Sequence, residues 1–173
     1  IGVLLVLFGR TKRQKYIGNG LVGFGLLFLG MQTMEGSMSF LRDRKDLFIA
    51  FSSSPMLGLF VGTAVTMVVQ ASSATIGLTM AMAAQGLLPL EAALPILLGD
   101  NIGTTITAVL ASLGSNRAAK QAATAHVLFN VIGAALFLAF LPFYKDVVAA
   151  TSTDIGRQIA NAHTIFNVTN TLL

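Results

Sequence analysis

The sequence predicts an all-α integral membrane protein, and three observations carry that expectation. Of the 173 residues, 54% are hydrophobic and 10% charged, against about 25% charged in an ordinary soluble domain. Mean hydropathy is +0.77, with apolar runs of bilayer-spanning length recurring along the chain. The basic residues cluster beside those runs: Arg10, Lys12, Arg13 and Lys15, then Arg42, Arg44 and Lys45. Such clusters read as loops flanking membrane segments. The pI near 9.9 therefore does not indicate a nucleic-acid partner, which would need a basic face on a water-exposed fold. The absence of cysteine excludes a disulfide framework, thiol catalysis and Cys-based zinc sites.

Taken in order, Ile1–Phe8 reads as the tail of a span, ended by Gly9 and a basic loop through Lys15. An apolar start followed by a basic stretch has the wrong order for a signal peptide, so the chain is expected to belong to a longer membrane protein. Ile17–Phe40 is long enough to cross a bilayer, which takes about 20 helical residues. Its glycines (Gly18, Gly20, Gly23, Gly25 and Gly30) would let neighbouring backbones approach closely. Leu41–Asp46 is a charged loop, and Leu47–Ser54 fits an interfacial segment.

Pro55–Val69 is too short for the usual span, about 22 Å of helix at 1.5 Å per residue against a hydrocarbon core of roughly 30 Å. The polar block Gln70-Ala71-Ser72-Ser73-Ala74-Thr75 follows, and then a second short apolar run, Ile76–Leu88. One helix over the whole stretch would be too long. The spacing predicts a hairpin or broken helix over residues 55–88 with its turn near Gln70–Thr75 at the bilayer midplane. Non-helical backbone survives at that depth only beside protein or a water-filled cavity.

Residues 91–113 repeat the pattern, with Gly99-Asp100-Asn101-Ile102-Gly103-Thr104-Thr105 between two apolar runs. A second break is expected there, the glycines permitting backbone shapes that other residues resist. Residues 121–141 and 155–173 make two further spans, with Leu141–Asp154 as a loop. One internal repeat stands out: Ala125-His126-Val127-Leu128-Phe129-Asn130-Val131 returns as Ala162-His163-Thr164-Ile165-Phe166-Asn167-Val168. His and Asn, four apart, share one helix face, either to hydrogen-bond across helices or to touch a permeant ion.

The two polar blocks carry the chemistry. Thr63, Thr66, Gln70 and Ser73 follow helical spacing, and Ser72 and Thr75 add hydroxyls at the break. A half-helix starting there has unpartnered N–H groups and the positive end of its dipole, which hold an anion without formal charge. Hydroxyls and the Gln70 amide oxygen can hold a weakly bound cation at modest desolvation cost. The same residues also fit a plain helix-packing seam. In the second block Asp100 is a carboxylate at membrane depth, either functional or the N-cap of a half-helix beginning near Asn101. Glu91 reads as a first-turn partner of the helix dipole. Neither a catalytic triad spacing, nor a phosphate-binding loop with Lys, nor a pair of carboxylates set for acid–base work is present, so no enzyme and no organic cofactor are expected.

Gly62-Thr63-Ala64-Val65-Thr66 through Gln70–Thr75, followed by Leu98-Gly99-Asp100-Asn101-Ile102-Gly103-Thr104-Thr105, resembles the signature of the type II sodium-dependent phosphate cotransporter family. That family carries a Gln-Ser-Ser-Ser block and a Gly-x-Asn-Ile-Gly-Thr-Thr block in each of two inverted repeats. The resemblance implies half of an inverted-repeat transporter with a re-entrant hairpin and discontinuous helices. Residues 51–173 would be the second repeat, and residues 1–50 the preceding linker spans and interfacial segment. It implies sodium-coupled symport of inorganic phosphate by alternating access, in a multi-pass protein of the bacterial inner (plasma) membrane. Alternatives are a non-transporting subunit or pseudo-transporter, or symport of another small anion such as a carboxylate.

By the same resemblance Ser72, Ser73 and Thr104 are expected on phosphate, and Gln70, Thr75, Asn101 and Thr105 on the coupling ion sodium. Thr66, Asp100, His126 and Asn130 stand as further candidates. Partners would be phosphate, the lipid bilayer, and the first repeat or another copy of the chain, with no nucleic acid. Two departures from the pattern are Ala71, where the family has the first serine of its triplet, and Asp100, where it usually has a small residue. Leu47–Asn116 contains neither Lys nor Arg, so helix N-termini and bound sodium are expected to balance the anion's charge.

Overall fold

A computed structural model describes residues 1–37 and 53–172. The expected charged loop Leu41–Asp46 and residues 47–52 of the interfacial stretch lie outside them. All regular structure among the described residues is helical. The chain divides into two compact units, residues 1–39 and 40–173.

The first unit holds α1 (Gly2–Phe8) and α2 (Lys12–Ser37). The basic residues Lys12, Arg13 and Lys15, expected in a loop, lie in the first turn of α2. A capping box starts the helix early. Gln14 Oε1 accepts from the N–H groups of Arg10 (2.9 Å) and Thr11 (3.0 Å), and Thr11 Oγ1 accepts from the Gln14 N–H at 3.2 Å, which satisfies amides that a helix start leaves free. Of the α2 glycines, Gly18 makes the close approach. A Cβ there would meet the Val6 backbone nitrogen at 2.8 Å, whereas Gly20, Gly23, Gly25 and Gly30 face open space.

The second unit holds α3 (Pro55–Val69), α4 (Ser72–Ala84), α5 (Leu90–Thr104), α6 (Ile106–Ser112), α7 (Arg117–Ala139), α8 (Leu141–Ala149) and α9 (Ile155–Leu172). Its core is α5, every residue of which from Ala92 to Asn101 is buried. Among the described residues two helical stretches, Leu90–Ser112 and Arg117–Ala139, are long and apolar enough to cross a membrane by length and composition.

The contact between α3 and α5 is made by small residues on both sides. A Cβ on Gly62 would collide with the Ile96 carbonyl oxygen, and one on Gly99 with the Leu59 carbonyl oxygen; one on Gly103 would come within 2.6 Å of the Thr63 carbonyl oxygen. In lipid, where apolar side chains gain little by leaving the solvent, such close backbone packing is what holds helices together. Gly99 and Gly103 thus serve packing rather than an unusual backbone shape.

That packing also moves the second break. α5 runs helical through Gly99, Asp100 and Asn101, and the interruption falls at Thr105. There the Thr105 N–H turns back to the Ile102 carbonyl at 3.1 Å and its hydroxyl donates to the same oxygen at 2.7 Å, a tighter three-residue turn. The first break lies where the sequence puts it: Gln70 is left-handed (φ 55°) and Ala71 extended, between α3 and α4.

The expected loop after residue 141 contains the helix α8. Pro142 suits a first helical turn. Tyr144 and Val148, one turn apart, are buried. The Tyr144 hydroxyl donates to the Ala162 carbonyl at 2.7 Å, and Phe137 meets both Tyr144 and Phe166 edge-on, tying α7, α8 and α9 together. On the other side of α8, Lys145 pairs with Glu91, in the first turn of α5, at 3.2 Å.

Candidate functional site

The junction of α3 and α4 is the first component. Ala71 occupies the N-cap of α4 and has no side chain to cap it. The N–H groups of Ala74 and Thr75 return to the Ala71 carbonyl, so those of Ser72 and Ser73 have no intrahelical partner. The N-terminus of a 13-residue helix thus presents free donors beside two serine hydroxyls.

The second component is a buried polar cluster. Asp100 is wholly buried in mid-helix, not an N-cap, and its Oδ1 accepts from the Thr66 hydroxyl at 2.7 Å. The Thr66 and Thr75 hydroxyls lie 2.9 Å apart. A hydroxyl carries one proton, so with the Thr66 proton on the carboxylate, Thr75 donates to Thr66. Asp100 Oδ2 is buried without a partner among the described residues.

The third component is a polar cavity of about 330 Å³. Ser72 of α4 and Asn101 and Thr104 of α5 form one side of its lining. α7 contributes His126, Phe129 and Asn130, and α9 contributes His163, Asn167, Asn170 and Thr171. The lining holds no Lys, Arg or carboxylate; its polar groups are amides, hydroxyls and the imidazoles of His126 and His163.

Within this cavity the asparagines repeat one arrangement. Asn101 Nδ2 donates to the Leu97 carbonyl at 2.8 Å, Asn130 Nδ2 to the His126 carbonyl at 3.0 Å, and Asn167 Nδ2 to the His163 carbonyl at 2.8 Å. Each bond runs back one turn along its own helix, so the two copies of the His-Asn repeat do not bond to each other. Both copies line the cavity. The Thr104 hydroxyl proton is likewise engaged, by the Asp100 carbonyl at 2.9 Å.

Of the residues expected on phosphate, Ser72 and Thr104 reach the cavity, while Ser73 is exposed and does not line it. Of those expected on sodium, Asn101 alone lines it. Gln70 is exposed at the break, Thr75 belongs to the Asp100 cluster, and Thr105 is buried with its hydroxyl spent on Ile102. Thr66 and Asp100 come together, and His126 and Asn130 line the cavity. His163, Asn167, Asn170 and Thr171 are cavity residues beyond those candidates, and the internal repeat was the signal for the first two.

Comparison with known proteins adds to this geometry. The family model described as Na+/Pi-cotransporter matches residues 38–165. The chain is 37% identical to "Uncharacterized protein YqeW" of Bacillus subtilis, a match covering 99% of this chain and 57% of that protein. It is 23% identical to "Putative inorganic phosphate export protein YjbB" of Escherichia coli, over 100% of this chain and 32% of the relative. Over 50% of this chain and 13% of the relative it is 38% identical to human "Sodium-dependent phosphate transport protein 2B". The chain therefore spans little more than half, or about a third, of the bacterial relatives it matches throughout. No solved structure matches it.

Proposed function

Because the chain belongs to the Na+/Pi-cotransporter family, we propose that it forms one half of the binding centre of a sodium-coupled phosphate symporter. The observation that carries the reading is the convergence of both polar blocks on one cavity without Lys, Arg or carboxylate, Ser72 from the first and Asn101 and Thr104 from the second. Phosphate is held at the N-terminus of α4, by the Ser72 and Ser73 hydroxyls and their free N–H groups. A helix end of this kind supplies about half a positive charge, too little to offset a multiply charged anion removed from water. The rest comes from sodium, bound by neutral oxygens of Gln70 and Asn101, with the Thr104 lone pairs beside them.

Discontinuous helices that aim their N-termini at an anion while oxygen dipoles hold the coupling ion are a transporter device. Gln70 and Ser73, exposed at the break, meet the other half of the centre, which the first repeat or a second copy supplies. The centre opens to each side of the membrane in turn. The direction of net flux follows the sum of the sodium and phosphate gradients.

The test is uptake of radiolabelled phosphate into liposomes holding the full-length protein. An inward sodium gradient drives uptake and an equal choline gradient does not; unlabelled phosphate competes and dicarboxylates do not. Equal uptake in sodium and choline contradicts the reading. Competition by dicarboxylates alone moves it to another anion, and no uptake at all points to a non-transporting subunit.

A further inference from the structure

We propose that the duplicated His-x-x-x-Asn motif builds an alkali-cation site, in which the side-chain oxygens of Asn130 and Asn167 join that of Asn101 around one sodium ion. The inference rests on the sodium-coupled reading above and extends it to α7 and α9, whose residues that reading leaves unassigned.

The side-chain atom that lies within 3.0 Å of a main-chain carbonyl oxygen in Asn101, Asn130 and Asn167 must be the NH₂ group, since two acceptors do not bond. Each amide is thereby oriented, with one of its two N–H groups engaged by its own helix. The oxygen end of each accepts no hydrogen bond among the described residues. Asn101 and Asn130 are more than nine-tenths buried as residues, at 6% and 7% exposure. All three side chains line the same cavity.

A cation needs oxygens, and three uncharged amide oxygens from three helices replace part of its water shell without leaving a buried charge when it departs. That is the property a transported ion requires. The Thr104 hydroxyl, its proton engaged by the Asp100 carbonyl, adds a further acceptor at the same wall. The repeat has a direct physical reason on this view: an Asn fixed by the carbonyl four residues earlier presents the same oxygen from α7 and from α9.

The test uses the purified full-length protein in detergent without phosphate. Sodium chloride replaces choline chloride at constant ionic strength, and the thermal unfolding midpoint is read. Sodium stabilises the wild type. In Asn130→Leu and Asn167→Leu the sodium concentration for half the stabilisation rises about tenfold or more, the loss of about 1.4 kcal/mol of binding. Should a Leu variant fail to fold, the matching Ala variant makes the same comparison with a shorter side chain. A wild-type sodium response in the Leu and Ala variants overturns the proposal. Sodium stabilisation lost in the variants, with no sodium-driven phosphate uptake by wild type, upholds this site and refutes the transport reading. Sodium-driven uptake with unaltered sodium response in every variant does the reverse.

Discussion

The Thr66 hydroxyl donates to the Asp100 carboxylate across 2.7 Å, and both side chains are wholly buried. The pair joins α3 to α5 one turn from the crossing glycines Gly62 and Gly103, and Thr75 brings α4 into the same cluster. The packing of three helices and the position of the break after Val69 thus share a single polar contact.

Thr66→Val should destabilise the folded protein by about 1–3 kcal/mol, because it leaves a buried carboxylate without its donor. In an Asp100→Ala background the same change should cost less than half as much. Thermal unfolding of the four proteins in a double-mutant cycle measures the coupling, and additive effects would show that the contact is not energetically real. Asp100→Ala itself should retain phosphate uptake while altering its sodium dependence, since it removes a negative charge that no basic side chain offsets.

Gly62→Ala and Gly99→Ala should each abolish or severely reduce folded protein. Their new methyl groups would meet backbone carbonyls that cannot swing aside, and overpacking of even forgiving sites costs about 1–3 kcal/mol. Gly23→Ala and Gly25→Ala, facing open space, should express normally. Size-exclusion profiles of fluorescently tagged variants separate the two groups; equal profiles would mean that the α3–α5 crossing is not that tight.

Gln70→Gly should raise thermal stability by about 1 kcal/mol, the cost a side chain meets in the left-handed region, while raising the sodium concentration needed for half-maximal phosphate uptake. A residue kept for its backbone alone would give the first effect without the second. Loss of stability on this change would show that the Gln70 side chain makes contacts worth more than its strain.

The break at Gln70–Ala71 was legible in the sequence because it rests on local quantities, the length of Pro55–Val69 and the polar block after it. The first polar residues to reach the cavity, Ser72, Asn101 and Thr104, follow from the same block grammar. The position of Asp100 was not legible. Gly99 and Gly103 read equally as breakers and as packing residues, and only the Leu59 and Thr63 carbonyls lying against them decide for packing and so keep α5 helical through Asp100. The helix α8 was obscured by Pro142 and its charged neighbours, and it is held by Tyr144 and Val148 burying against α7 and α9. The cavity contribution of Asn167 could be foreseen from the repeat, though its orientation could not, because the amide bonds along its own helix rather than across to Asn130.

Phosphate binding to the full-length protein, titrated at several fixed sodium concentrations, bears most directly on the reading that sodium supplies the positive charge that no Lys or Arg of this lining offers. Phosphate affinity should rise with sodium, and sodium affinity should rise with phosphate by the same factor, as linkage requires. A phosphate affinity independent of sodium, or an arginine from the other half of the protein in direct contact with the bound phosphate, would contradict it.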